Sequence, residues 1–195
     1  QTIDRAEEEI TSALAELPPP LPGLKRGIGI ASSYKNVGLG LGLPEPTGVT
    51  LELQSDGKIL VLFGGAELGQ GSDTTIAQIA ADALKVPYRM VEVLACDTRL
   101  TPDGGITIAS RTTYMSGNAV MEAAPGFTAR LADEIGHLGP YSDDELAAAG
   151  KVLLDHKRKI IYSHTYNPPK TYPLDAKGED ENTNFVTFSY ATQAR

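Results

Sequence analysis

Apolar positions along this chain follow two rhythms, one alternating and one helical, and they change over at a single glycine-rich stretch. Val49, Leu51 and Leu53 alternate with Thr50 and Glu52; Ser55-Asp56-Gly57 then turns the chain into the apolar run of residues 58–63, a hairpin signal. Beyond it, Ile76, Ile79, Ala80, Ala83 and Leu84 recur at helical spacing as far as Pro87, so the intervening Gly64-Gly65-Ala66-Glu67-Leu68-Gly69-Gln70-Gly71-Ser72-Asp73-Thr74-Thr75 ends a strand and opens a helix over 72–86. Residues 88–95 form another strand. The pattern is therefore strand, strand, helix, strand.

Upstream, Ile3, Ile10, Leu14 and Leu17 share one face of an acidic helix over 2–17, stopped by Pro18-Pro19-Pro20 and Pro22. Glu7-Glu8-Glu9 is a solvated face. Residues 25–35 alternate as a strand, with Ile28, Ile30 and Ser32 on one side, before a loop at 38–42 bounded by Pro44 and Pro46. Downstream, Gly117-Asn118-Ala119-Val120 enters a helix that Pro125 and Gly126 should kink or divide, with Phe127, Leu131, Ile135 and Leu138 continuing its apolar face. Ser142-x-x-Glu145 is a capping box for a short helix ending at Gly150. Residues 151–154 and 159–163 read as paired short strands, 165–184 as an irregular excursion, and 185–190 as a last strand. A hairpin ahead of the glycine turn argues for an α+β fold with mixed or antiparallel strands and helices packed to one side, not a doubly wound parallel sheet. The expected domains are an N-terminal helix and proline-rich linker over 1–22 and one domain over 23–195, incomplete at its C-terminus. A start at Gln1 suggests a processed chain or a fragment.

A chain of 195 residues with a net charge of −8 has no clustered basic patch for nonspecific nucleic-acid or membrane-surface binding. No apolar run is long enough to span a bilayer, and no signal peptide is recognisable. The single cysteine, Cys96, excludes an internal disulfide and reads as a buried inert thiol at a strand end; three scattered histidines make no zinc pattern, so no metal ligands are assigned to the chain.

Candidate chemistry centres on the glycine turn. Glycines there permit positive φ and close backbone approach, and a helix start offers unpaired N–H groups that suit an anion, phosphate above all. The competing reading is a tight connection capped by Ser72 or Asp73. The turn lacks the Gly-Lys-Ser/Thr end of a Walker A loop and the glycine spacing of the dinucleotide fingerprint. A second polar cluster runs Thr101-Pro102-Asp103-Gly104-Gly105-Ile106-Thr107-Ile108-Ala109-Ser110-Arg111-Thr112-Thr113, more small hydroxyl residues than helix capping needs.

Taken together, Glu67-Leu68-Gly69-Gln70-Gly71, Asp97-Thr98-x-x-Thr101-Pro102, Ala109-Ser110-Arg111-Thr112-Thr113 and Gly117-x-Ala119-Val120 resemble the molybdopterin-binding subunit of the xanthine dehydrogenase/aldehyde oxidase family, and the spacing from Gln70 to Ser110 agrees with it. The resemblance covers about residues 24–125, is weaker over 150–195 and is absent over 1–20. It implies that Leu68, Gly69 and Gln70 lie against the pyranopterin and its phosphate, and that Ala109, Ser110, Thr112 and Thr113 supply backbone and hydroxyl donors to the same cofactor. It implies molybdenum held by the pterin dithiolene rather than by side chains, the pterin in simple or cytosine dinucleotide form. It further implies hydroxylation of an electron-poor carbon with oxygen from water, and electrons leaving through 2Fe-2S clusters to FAD on partner chains or domains. The remaining molybdenum-subunit segments, an iron–sulfur subunit and a flavin subunit are the expected partners, in the cytoplasm. The family's catalytic glutamate belongs to a Gly-Glu segment beyond residue 195, so neither Glu67 nor Glu122 is assigned that role; the glycine–phenylalanine loop that contacts the metal is likewise not found. On this reading the isolated chain is inactive and holds part of a cofactor site. Purines, heteroaromatic acids and aldehydes all remain as substrates. Two other readings stand beside it: a non-catalytic assembly module of the same fold, and an unrelated phosphate-binding enzyme.

Overall fold

The computed structural model describes residues 2–26, 30–171 and 188–194. Tertiary contacts divide the chain into two compact units, one formed by Gln1–Val37 with Val186–Arg195 and the other by Gly38–Phe185.

In the first unit, α1 (Thr2–Glu16) lies against β6 (Phe188–Ala194), which pairs antiparallel with β1 (Ile30–Asn36) from Ile30↔Ala194 to Asn36↔Phe188. Ala6, Ile10 and Leu14 are the half-buried positions of α1 at fourfold spacing, as an amphipathic helix requires, and Leu17 beyond its end is exposed. The expected strand over 25–35 appears as β1; its positions 27–29 lie outside the described residues, as do 185–187 of the expected last strand and 172–184 of the expected excursion.

The second unit is built on a four-stranded mixed sheet in the order β4-β3-β2-β5, comprising β2 (Thr47–Leu53), β3 (Ile59–Phe63), β4 (Val91–Ala95) and β5 (Ile161–Tyr166). β2 and β3 form the hairpin, β2 and β5 pair antiparallel, and β3 and β4 run parallel. Parallel neighbours need a crossover, which α2 (Ser72–Leu84) and a 3-10 turn at Tyr88–Met90 provide. That turn replaces the first residues of the expected strand over 88–95. The inward face of the sheet carries Val49, Leu51, Ile59, Val61 and Phe63, all without measurable exposure. They pack with Ile76, Ala80 and Leu84 of α2 and Met115, Ala119, Val120, Ala123, Phe127 and Leu131 of α3 (Arg111–Ile135). The opposite face carries Thr50 and Ser163, whose hydroxyls meet at 2.8 Å, so the helices cover one side of an α+β sheet.

Three local expectations are corrected. First, of the kink or division expected at Pro125 and Gly126, the division does not occur: α3 is continuous through both. Proline removes only the bond to the Met121 carbonyl, Met121 and Pro125 are both on the exposed face, and the buried residues on either side hold the helix together. Second, α4 (Asp143–Asp155) begins at the expected capping box but runs past Gly150 and takes in residues 151–154, which are not a strand. Gly150 is a contact glycine, because a Cβ there would lie 2.4 Å from the Gln54 carbonyl oxygen in the β2–β3 turn. β5 therefore pairs with β2 and not with 151–154. Third, Cys96 is exposed, with φ of 61°, and its thiol donates to the Gly65 carbonyl at 3.2 Å.

Candidate functional site

Because β3 and β4 run parallel, the loops that follow them leave the same end of the sheet. The first is the glycine turn before α2; the second comprises residues 96–110, before α3. They meet backbone to backbone at two glycines. A Cβ on Gly64 would lie 2.4 Å from the Gly104 amide nitrogen, and one on Gly104 would lie 2.8 Å from the Gly64 carbonyl carbon. Below this seam Gly48 N donates to Asp103 O at 2.8 Å, and above it Ala66 N donates to the Thr107 hydroxyl at 2.7 Å.

Between the loops opens a cavity of about 460 Å³ lined by Leu68, Gln70, Ser72, Thr107, Ile108, Ala109, Ser110, Thr112 and Thr113. Of the residues singled out from sequence, Leu68, Gln70, Ala109, Ser110, Thr112 and Thr113 line it; Gly69, with φ of 99°, does not, and its amide donates to Glu67 within the turn. The structure adds Ser72, Thr107 and Ile108 to the lining.

The two helix starts at this cavity differ. At α2 the cap position is Gly71, in the left-handed region, not Ser72 or Asp73. The anion that its amides attract comes from the chain itself: Glu67 Oε1 accepts from Gly69 N at 2.7 Å and Gly71 N at 3.0 Å, and Glu67 Oε2 from the Ser72 hydroxyl at 3.0 Å and Asp73 N at 3.2 Å. Those bonds, led by the Gly71 amide, hold the Glu67 carboxyl down at about 2. Asp73 beside it is raised, by desolvation first and by the Glu67 charge second. Gln70 is folded into the same turn: its Nε2 donates to Ala66 O at 2.7 Å and to the Ser72 hydroxyl at 3.1 Å, and its Oε1 accepts from Leu68 N at 2.5 Å.

At α3, Ser110 is the cap residue but its side chain does not cap. The first-turn amides have no intrahelical acceptor, so Thr112 and Thr113 offer N–H and hydroxyl donors at the cavity wall. Ala109 and Ser110 stand in succession at φ of 53° and 54°, a costly conformation for non-glycine residues that persists only where surroundings enforce it. One enforcing contact is the Ala109 carbonyl, which accepts from Gly38 N at 2.9 Å. The main one is Arg111.

Arg111 is 2% exposed and its guanidinium is surrounded by acceptors. Nε donates to Glu45 Oε1 at 3.0 Å; Nη1 donates to the carbonyls of Gly104 at 2.6 Å and Ile106 at 2.9 Å; Nη2 donates to the Thr47 hydroxyl at 3.0 Å. The second loop is thus tied to the segment ahead of β2. In the sequence Arg111 stands out only as part of a motif and Glu45 not at all, since partners so far apart leave no local signal. Glu67 was legible only as a turn residue.

The donor set suits an anion such as a phosphate beside an apolar group: neutral amides and hydroxyls at a helix start, with Leu68 and Ile108 as apolar wall. Among the described residues no group of three His, Cys, Asp or Glu side chains is placed to hold a metal ion. No helix among the described residues is long and apolar enough to cross a membrane.

The family model of the molybdopterin cofactor-binding domain matches residues 4–194. The chain is 36% identical over 129 residues to the gamma subunit of the 6-hydroxypseudooxynicotine dehydrogenase complex of Paenarthrobacter nicotinovorans, covering 65% of this chain and 16% of that protein. It is 32% identical over 138 residues to a probable xanthine dehydrogenase subunit of Bacillus subtilis, covering 71% of this chain and 18% of that one. Among solved structures, the aldehyde oxidoreductase of Desulfovibrio desulfuricans superposes with a TM-score of 0.69 at 22% identity, over 98% of this chain and 20% of that chain. The quinoline 2-oxidoreductase of Pseudomonas putida superposes with a TM-score of 0.65 at 22% identity, over 100% and 28%. The chain thus spans less than a fifth of the length of these two curated relatives.

Proposed function

The chain belongs to the molybdopterin cofactor-binding domain family, and from that membership we propose that its cleft holds part of a molybdopterin cofactor in an oxidoreductase of the xanthine dehydrogenase/aldehyde oxidase type. The observation that carries this reading is the convergence of Leu68, Gln70, Ala109, Ser110, Thr112 and Thr113, from loops of two different strands, on one cavity. When bound, the cofactor supplies two-electron oxidation of an electron-poor carbon with oxygen taken from water.

The chain's own part is binding and orientation. Thr112 and Thr113 meet the anionic end at the start of α3, because the start of α2 is already taken by the Glu67 carboxylate. Ala109 and Ser110, held left-handed, turn their backbone toward the ligand, while Leu68 and Gln70 close the opposite wall. Proton transfer is not assigned to this chain's site loops. Glu67, at about 2 and bound to backbone donors, is too weak a base, and Glu122 pairs with His164 at 2.8 Å. The family's general-base glutamate is assigned to a segment other than this one.

By analogy with the two bacterial relatives, each of them one subunit of a larger enzyme, the working form is a complex: further molybdenum-subunit segments, an iron–sulfur component with 2Fe-2S clusters and an FAD component, in the cytoplasm, acting on a heteroaromatic or aldehyde carbon. The cytosine dinucleotide form of the cofactor belongs to the same proposal. The test is molybdenum and pterin analysis of the protein purified natively with its companion chains. About one molybdenum per complex with an acid-released pterin supports the reading; an intact complex lacking both refutes it.

A further inference from the structure

We propose that Glu67 is a positioning residue: its carboxylate stands in the amide nest of the glycine turn where an external anion would otherwise sit, and so fixes residues 68–70 in the shape that meets the cofactor. This rests on the cleft being a cofactor site.

The argument is geometric. Donors from residues 69, 71, 72 and 73 converge on the two oxygens of one side chain, at 2.7 to 3.2 Å. Gly69 and Gly71 have φ of 99° and 77°, conformations that aim both amides at a common point and that other residues adopt only with strain. Such a nest at a helix start ordinarily recruits a bound anion. Here the anion is built in, so the turn keeps its shape whether or not a ligand is present. Gln70 depends on that shape, since its amide is threaded between Ala66 O, Leu68 N and the Ser72 hydroxyl, and Ser72 in turn donates to Glu67. A second consequence concerns selectivity. With the α2 start filled, an incoming phosphate is left with the α3 start, which sets the direction in which a long ligand lies in the cleft. The charge is needed because a glutamine of equal length offers one acceptor oxygen, and its NH₂ group, in the place of Oε2, would face the Asp73 amide, which cannot accept from it, leaving only the Ser72 hydroxyl as a partner.

The experiment uses the natively purified complex. Wild-type protein is assayed for pterin first; none would overturn the functional reading and this proposal with it. Given pterin in the wild type, Glu67→Ala is expected to lower pterin content by about 10- to 100-fold, the usual effect of removing a group that orients a binding group. Added formate, but not chloride, should restore part of it by refilling the nest. Hydrogen exchange on cofactor-stripped protein gives a readout independent of pterin: amides of Gly69, Gly71 and Asp73 should lose protection in Glu67→Ala while those of the β2–β3 hairpin keep theirs. Full pterin content together with unchanged protection in Glu67→Ala would overturn the proposal. If Glu67→Ala loses the hairpin as well, Glu67→Gln decides: reduced pterin on an intact hairpin supports the proposal, and full pterin overturns it.

Discussion

Arg111 Nε lies 3.0 Å from Glu45 Oε1, and the two side chains, 2% and 4% exposed, form a buried ion pair behind the wall of the cleft. Breaking one side of such a pair leaves an unpaired charge in the interior, at a cost of about 3–5 kcal/mol. Arg111→Met should lower the unfolding free energy by that order, measured by denaturant titration. Arg111→Lys should recover little, because an ammonium cannot reproduce the fork that reaches Glu45, Thr47 and two carbonyls together. A double-mutant cycle with Glu45→Gln should return a coupling above about 1 kcal/mol; additive losses would mean the pair is incidental.

Gly64 and Gly69 should answer differently to the same change. In Gly64→Ala the new Cβ meets backbone at 2.4 Å, so the two loops must part; a loss of about 1–3 kcal/mol is expected, together with weaker cofactor retention. In Gly69→Ala nothing lies within 4 Å of the Cβ and only the φ of 99° resists, at about 1–2 kcal/mol. Pterin content against thermal stability for the pair separates a broken seam from a strained turn.

Removal of Pro125 should stabilise the protein. Pro125→Ala restores the amide that α3 lacks at an exposed position, for a gain of about 1–3 kcal/mol. The greater freedom of the unfolded chain takes back about 0.4–1 kcal/mol of it. A lower melting temperature would show that the proline's contacts outweigh the missing bond.

At the start of α4, the Ser142 hydroxyl, then the Ser142 amide and His137, hold the Glu145 carboxyl at about 2 instead of its ordinary 4.5. A carboxyl lowered by folding contributes stability that is complete above the unfolded value and is lost as pH falls through the folded one. Protection of the first-turn amides of α4 should therefore decline between about pH 4.5 and 2. Glu145→Gln should flatten that decline; an unchanged profile in the variant would assign it to another group.

Gln70 sits at the cavity wall with its amide bonded inside its own turn. In the assembled enzyme Gln70→Ala should lower cofactor content or turnover while the far-ultraviolet circular dichroism stays unchanged. Full activity at normal molybdenum content would remove Gln70 from the site.

Features carried by short stretches were legible in the sequence. The β2–β3 hairpin, the start of α2 and the Ser142–Glu145 capping box each depend on residues within a few positions of one another. The joint between the loops was not, since Gly64 and Gly104 touch only after β3 and β4 have paired. Residues 151–154 illustrate another limit: a short apolar run reads equally as strand or helix until its neighbours decide, and here the capping box upstream and the Gln54 carbonyl against Gly150 decide for helix. Arg111 and Glu45 are 66 positions apart and carry no shared pattern. The site motifs lie on the two loops that line the cavity, and the α2 start, which reads from sequence as open to an outside anion, is filled by Glu67.

The place of β2 in the sheet bears on how the protein is made. Its hairpin partner β3 follows at once, but its other neighbour, β5, pairs Thr50 with Ser163, 113 residues later. During synthesis both loops of the cleft and the whole of α3 emerge while one edge of β2 still has no partner. An uncovered edge of this kind invites pairing with other nascent chains. The interval before β5 arrives is thus when the domain most needs a chaperone, and slowing translation between α3 and β5 should raise aggregation more than the same delay placed after β5.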